Sequence, residues 1–232
     1  MRAGAAGIRA VIIDLDGTML DTVPDFHVAI NRMRAELGLA AISAQQVADL
    51  VGKGSENLIR GVLAIDFDAA GVEQRFEAAM AAYQRHYLAI NGDHATVYEG
   101  VREGLAALQA MDLRMACVTN KPIAFARPLL EKAGLAHYFE IVYGGECLPR
   151  KKPDPMPMLQ VCADFDLAPG EVVAIGDSSN DAEAARAAGC WVLAVPYGYN
   201  HGRSIHEADS DGIVETLLEA ASLISLHNHD AN

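Results

Sequence analysis

The chain has 232 residues, 51% of them hydrophobic and 21% charged, a balance typical of globular proteins and unlike disordered or fibrous ones. At about 150 residues per domain, this length allows one domain with an addition, or two small domains. The formal net charge of −13 argues against non-specific binding to nucleic acid or an anionic membrane, so an anionic substrate would need local positive charge to receive it.

The N-terminus "MRAGAAGIRA" leads into an apolar run without a signal-peptide core, and no run approaches the ~18 to 20 residues of a membrane span. A cytoplasmic protein without a membrane partner is expected. The first predicted strand, "AVIID" at 10–14, ends in Asp14, with Asp16, Gly17 and Thr18 just behind. Side chains two apart on an extended chain share one side, so Asp14 and Asp16 would crowd one small volume. Their repulsion must be offset by a divalent cation, by a shared proton, or by helix N-termini and lysines from elsewhere.

Next come helical patterns with no convincing strand between them: "PDFHVAINRMRAELGL" at 24–39, "SENLIRGVLAI" at 55–65 and "GVEQRFEAAMAAYQRHYLAI" at 71–90. They predict a helical insertion over 19–93, entered near Thr22-Val23-Pro24 and left near Asn91-Gly92-Asp93, both with turn chemistry. The core would then comprise 1–18 and 94–232. From there helices and strands alternate: helical spacing at 101–111, 124–135, 157–167 and 181–189, and apolar runs "RMACVT", "FEIVYG", "VVAIGD" and "WVLAVP" at 114–119, 139–144, 172–177 and 191–196. Runs that are apolar on both faces suit parallel strands covered by helices on each side, so the fold expected is a doubly wound α/β sheet carrying the helical insertion. Ligands of such a sheet bind beyond the carboxyl ends of its strands.

Four of those ends carry polar residues. They are Asp14 and Asp16, Thr119-Asn120 in "VTNKP", Lys152 in "KKPDP", and Asp177 and Asp181 in "GDSSND". Each has an ordinary alternative: Asp181 as a helix cap, Thr119 as a turn former, Lys151 and Lys152 as a solvated pair. In a parallel sheet, however, all of them fall on one edge. The four cysteines lack a C-x-x-C spacing and are expected to be reduced structural residues. The histidines show no ligand spacing, Trp191 reads as packing, and the tail "HNHDAN" as a polar, frayed end.

With D-x-D-G-T, the strand-terminal Thr, the Lys before Pro and G-D-x-x-x-D in that order, and the insertion after the first, nearly the whole chain resembles the haloacid dehalogenase superfamily. Within it, "VTNKP", "KKPDP", "GDSSNDAEAARAAGC" and "YGYN" at 197–200 resemble the bacterial phosphoglycolate phosphatases. One departure is Glu99, where a Pro is expected before Gly100; a carboxylate near a helix N-terminus is electrostatically acceptable there.

The resemblance implies a Rossmann-like core, a small α-helical cap, and Mg²⁺ held by Asp14 and Asp177, the main chain of Asp16, and Asp181 in support. It implies a small phosphate ester as substrate, Asp14 as the nucleophile that becomes an aspartyl-phosphate, and Asp16 as acid and base, oriented by the Thr18 hydroxyl. Thr119, the Asn120 amide and Lys152 would hold the transferring oxygens. Lys53, between Gly52 and Gly54 in the cap, is the candidate partner for a substrate carboxylate. A protein that is a monomer or small homo-oligomer is expected. Alternatives are a phosphatase for N-acetylmuramic acid 6-phosphate or a phosphosugar and, more distantly, a phospho-accepting signalling module.

Overall fold

A computed structural model describes residues 7–230; expectations that fall on 1–6 and 231–232 lie outside the described residues. In chain order the elements are β1 (Ala10–Ile13), β2 (Leu20–Asp21), α1 (Val23–Glu36), α2 (Ala44–Ala48), α3 (Ser55–Leu63), α4 (Ala69–Ile90), β3 (Thr96–Val97), α5 (Val101–Ala110), β4 (Arg114–Val118) and α6 (Ile123–Lys132). They continue with β5 (Ile141–Tyr143), α7 (Met156–Phe165), β6 (Val172–Gly176), α8 (Ser179–Ala188), β7 (Trp191–Ala194), β8 (Gly212–Ile213) and α9 (Leu217–Asp230).

Six strands form one parallel sheet in the order β5-β4-β1-β6-β7-β8. The two-residue period of a strand sorts its side chains between two cores. Val11 and Ile13 face one layer together with Met115, Cys117, Val173 and Ile175, and α5, α6 and α9 cover that layer. Ala10 and Ile12 face the other with Ala116, Val118, Val172 and Ala174, under α7 and α8. Register aligns the rows, since Val11 pairs with Met115 and Val173, and Ile13 with Cys117 and Ile175. This is the doubly wound sheet expected.

Helices α1 to α4 form a separate apolar cluster around Phe26, Met33, Ile59, Tyr83 and Tyr87, joined from the core by Phe125. The chain enters and leaves this unit through the antiparallel pair β2–β3. Buried Asp25 ties the two passages together, accepting from the backbone N–H of Gly92 at 2.7 Å and of His94 at 2.8 Å. Inside the unit, buried Arg34 donates to the Ala40 and Val62 carbonyls and pairs with Asp66 at 2.8 Å.

Several elements carry no clear sequence signal. Strands β2, β3 and β8 have two residues each, too short to show a period, and α2 has only five. The expected frayed tail is helical as far as Asp230. Its Asn228 accepts from the Ile8 N–H at 2.6 Å and donates to the Ile8 carbonyl at 2.9 Å, clamping the entry to β1. The four cysteines are free, and Cys147 is the exposed one. Trp191 packs against His227 and donates its indole N–H to the Gly170 carbonyl. No helix among the described residues is long and apolar enough to cross a membrane.

Candidate active site

The central strands β4, β1 and β6 bring Thr119, Asp14 and Asp177 to one edge, because each of these residues lies just past a strand's carboxyl end. Carboxylate oxygens of Asp14, Asp177 and Asp181 all lie within 4.8 Å of one another. Lys152 comes in from the loop after β5. Its buried ammonium sits 2.8 Å from Asp14 Oδ1 and 2.6 Å from Asp181 Oδ1, and donates to the Val118 carbonyl at 2.6 Å. Lys152 is therefore no solvated surface lysine. Asp181 makes contacts on both sides: its other oxygen accepts from the Ser178 hydroxyl and N–H at the start of α8, as a residue capping the helix does.

Charge is unbalanced here. Burial pushes the Asp14 pKa up to about 7, helped by Asp181 and Asp16 and opposed by Lys152. Burial likewise holds Asp177 well above the ordinary carboxylate range, with Asp181 and Asp14 adding to it. On Lys152 burial disfavours charge, but Asp14 and Asp181 outweigh it and keep its pKa raised. If all three ionise, these carboxylates outnumber the one ammonium beside them, and although Lys152 is near, no donor is aligned to hydrogen-bond Asp14 Oδ1. Hard oxygen donors with excess negative charge suit a cation such as Mg²⁺. Gly17 lets the backbone pass close to this cluster: at its φ of +84°, a Cβ would lie 2.2 Å from Asp177 Oδ2.

The structure corrects one expected contact. The Thr18 hydroxyl donates to Asp177 Oδ1 at 2.8 Å and not to Asp16, because the turn at Gly17 carries Thr18 toward β6. Asp16 is held instead by the Thr22 hydroxyl at 2.7 Å and the Lys121 ammonium at 2.9 Å. Thr22 is the N-cap residue of α1, yet its side chain makes no capping bond there; it is turned to Asp16. Thr119 accepts from the Lys121 N–H at 3.1 Å, so it shapes the turn as well as lining the site.

Sequence reasoning missed Lys121. Its ammonium is buried, donates to Tyr87 Oη at 2.6 Å and lies 4.3 Å and 4.7 Å from the ring centres of Phe26 and Tyr87, two residues of the helical insertion. Burial lowers its pKa against the pull of Asp16. A signal was available, since Lys121 stands in the same "VTNKP" turn as Thr119, just past the carboxyl end of a strand.

The glycine-rich turn of the insertion lies over this edge. The Gly52 carbonyl accepts from Asn120 Nδ2 at 3.0 Å and Asn180 Nδ2 at 3.3 Å, and the Lys53 carbonyl accepts from Lys151 Nζ at 2.9 Å. Beneath it remains a space of about 30 Å³, bordered by Asp14, Asp16, Thr119, Asn120 and Lys121. Exposed Lys53 is not among its lining residues; it borders an outer pocket of about 510 Å³ with Lys151, His201 and Arg203, a pocket that reaches inward as far as Lys152. The "YGYN" turn braces the site from the far side. Tyr197 Oη donates to the Thr18 carbonyl at 2.9 Å, the Tyr199 N–H donates to Asp177, and Tyr199 Oη donates to Asp21 while accepting from the Thr22 N–H at 3.0 Å.

The sequence profile of the haloacid dehalogenase-like hydrolases matches residues 11–195. The chain is 49% identical over 217 residues to a phosphoglycolate phosphatase of Nitrosospira multiformis, covering 94% of this chain and 96% of the relative. It is 46% identical over 225 residues to a phosphoglycolate phosphatase of Thiobacillus denitrificans, covering 97% and 99%. Among solved structures, a predicted phosphoglycolate phosphatase from Haemophilus somnus superposes with a TM-score of 0.87 at 29% identity, over 93% of this chain and 97% of that one.

Proposed function

The chain belongs to the haloacid dehalogenase-like hydrolases, and we propose that within that family it is a Mg²⁺-dependent phosphatase that converts 2-phosphoglycolate to glycolate and phosphate. The observation that carries this reading is the convergence of Asp14 and Asp16 on one small pocket at the strand ends, with Lys152 beside the first and Lys121 beside the second. The relatives named for this activity supply the rest of the support.

An Asp14 carboxylate oxygen attacks phosphorus, the bond to the ester oxygen breaks, and the Asp16 carboxyl gives its proton to the departing alkoxide. Water then attacks the aspartyl-phosphate, Asp16 takes the proton back, and Asp14 is regenerated with release of phosphate. Lys152 and the turn at Thr119 and Asn120 balance and hold the transferring oxygens. A Mg²⁺ ion on Asp14, Asp177 and the Asp16 main chain, supported by Asp181, would offset the charge that otherwise keeps an anionic nucleophile from an anionic ester. Thr22 and Lys121 hold the Asp16 carboxylate in place. The helical insertion, residues 19–93, is the cap that excludes water once the Gly52–Gly54 turn is seated. A signalling module would need no acid and base beside its acceptor, which disfavours that alternative.

Phosphate release from a panel of esters tests the reading. 2-Phosphoglycolate should be turned over far faster than phosphosugars, and excess chelator should abolish the reaction. Full turnover under chelation would remove the metal from the scheme, and a phosphosugar leading the panel would remove the substrate.

A further inference from the structure

We propose that Lys121 is the group that receives the substrate's carboxylate, an inference that rests on the phosphoglycolate reading above. Lys121 is the only cationic side chain among the described residues that line the space between Asp14 and the cap. It is 4% exposed and is set in place by both halves of the protein. The core supplies Asp16 at 2.9 Å, and the cap supplies Tyr87 Oη at 2.6 Å together with the faces of Phe26 and Tyr87. An ammonium has three N–H donors. Two are used, and the third has no hydrogen-bond partner among the described residues.

The connectivity of the substrate points to the same atom. The ester oxygen must lie beside Asp16 to receive its proton, and in 2-phosphoglycolate a single methylene separates that oxygen from the carboxylate. The carboxylate therefore falls next to whatever cation is bonded to Asp16, which is Lys121. On the other side of Asp14, Lys152 is committed to Asp14 and Asp181 at the phosphoryl end. A charge pair in a dry space is stronger than one in water, and a buried ammonium that loses its partner is penalised, so this arrangement rejects a neutral analogue of the same shape. Lys53 lacks that setting: it is exposed on the outer pocket, where solvent screens it.

The test compares kcat/KM for 2-phosphoglycolate and for its amide, 2-phosphoglycolamide, which keeps size and leaving atom but removes the charge. The unaltered enzyme should prefer the carboxylate by about ten- to a hundredfold, as expected for a charge-assisted hydrogen bond. Lys121→Met, whose side chain suits the aromatic setting, should bring the two esters to within about threefold of each other, a ratio that a general loss of activity through Asp16 would not change. Lys53→Ala, at an exposed position, should keep the preference. A preference that persists in Lys121→Met, or one that vanishes in Lys53→Ala, overturns the assignment of Lys121, as does an unaltered enzyme that uses both esters equally well. An unaltered enzyme that leaves 2-phosphoglycolate untouched overturns the functional reading, and this inference with it.

Discussion

Asp14, the proposed nucleophile, is held in place at a cost to the fold. The unfolded chain ionises this carboxyl near 3.8, whereas burial holds it protonated in the folded, metal-free protein up to about 7. Between those values the unfolded state has lost a proton that the folded state retains, so stability from this group falls as pH rises from about 4 to about 7, and the penalty is complete above that. Asp14→Asn should remove it. Metal-free Asp14→Asn is expected to be more stable than the parent by on the order of 2 to 4 kcal/mol at pH 8, with the gap closing toward pH 4. Urea denaturation in chelator at several pH values measures this, and an equal gap at both ends of the range would contradict the assignment. Asp16 should behave differently: Asp16→Asn is expected to slow turnover about 10² to 10⁴-fold, since it removes the acid and base while leaving the nucleophile. A mutant as fast as its parent would end that role for Asp16.

Strand ends were legible in the sequence, and the connections between them were not. Asp14, Thr119 and Asp177 could be placed on one edge because an apolar run that stops in a polar residue marks where a parallel strand ends. The pair β2–β3 could not be read, since its two-residue strands are defined by pairing across the 74 residues between them. The last helix escaped for a related reason: α9 ends in polar residues that resemble a loose tail until Asn228 is seen to hold both backbone groups of Ile8. Asn228→Ala should therefore cost about 1 to 2 kcal/mol in chemical denaturation without altering kcat. No loss of stability would mean that β1 is secured by the sheet alone.

Cap and core meet through backbone as much as through side chains. The Gly52 and Lys53 carbonyls accept from core side chains, and at Gly54, with φ of +86°, a Cβ would lie 2.9 Å from Lys151 Nζ and 3.2 Å from the Asn120 carbonyl. Gly54→Ala should keep the cap from seating. The expected outcome is a kcat/KM at least tenfold lower, with a stability loss of about 1 to 2 kcal/mol from the left-handed backbone. An alanine enzyme of normal kcat/KM would show that this turn need not seat for turnover.

Composition, the order of apolar runs and four polar strand ends were enough to specify a doubly wound sheet, a helical insertion and one polar edge, because each is written in local periodicity or in residues next to it; the phosphoryl-transfer reading of that edge came from the family resemblance. Which hydroxyl holds Asp16, which lysine is enclosed beside it and which is left exposed depend on contacts between segments far apart in the chain. Thr18 and Thr22 are equally good donors on paper; the turn at Gly17 sends the first to Asp177 and leaves the second for Asp16. Lys53 and Lys121 are equally good cations; packing of Phe26 and Tyr87 on the core encloses Lys121 and leaves Lys53 in water. Side-chain direction at a closed interface is set by what covers it, and that is a property of the packed whole.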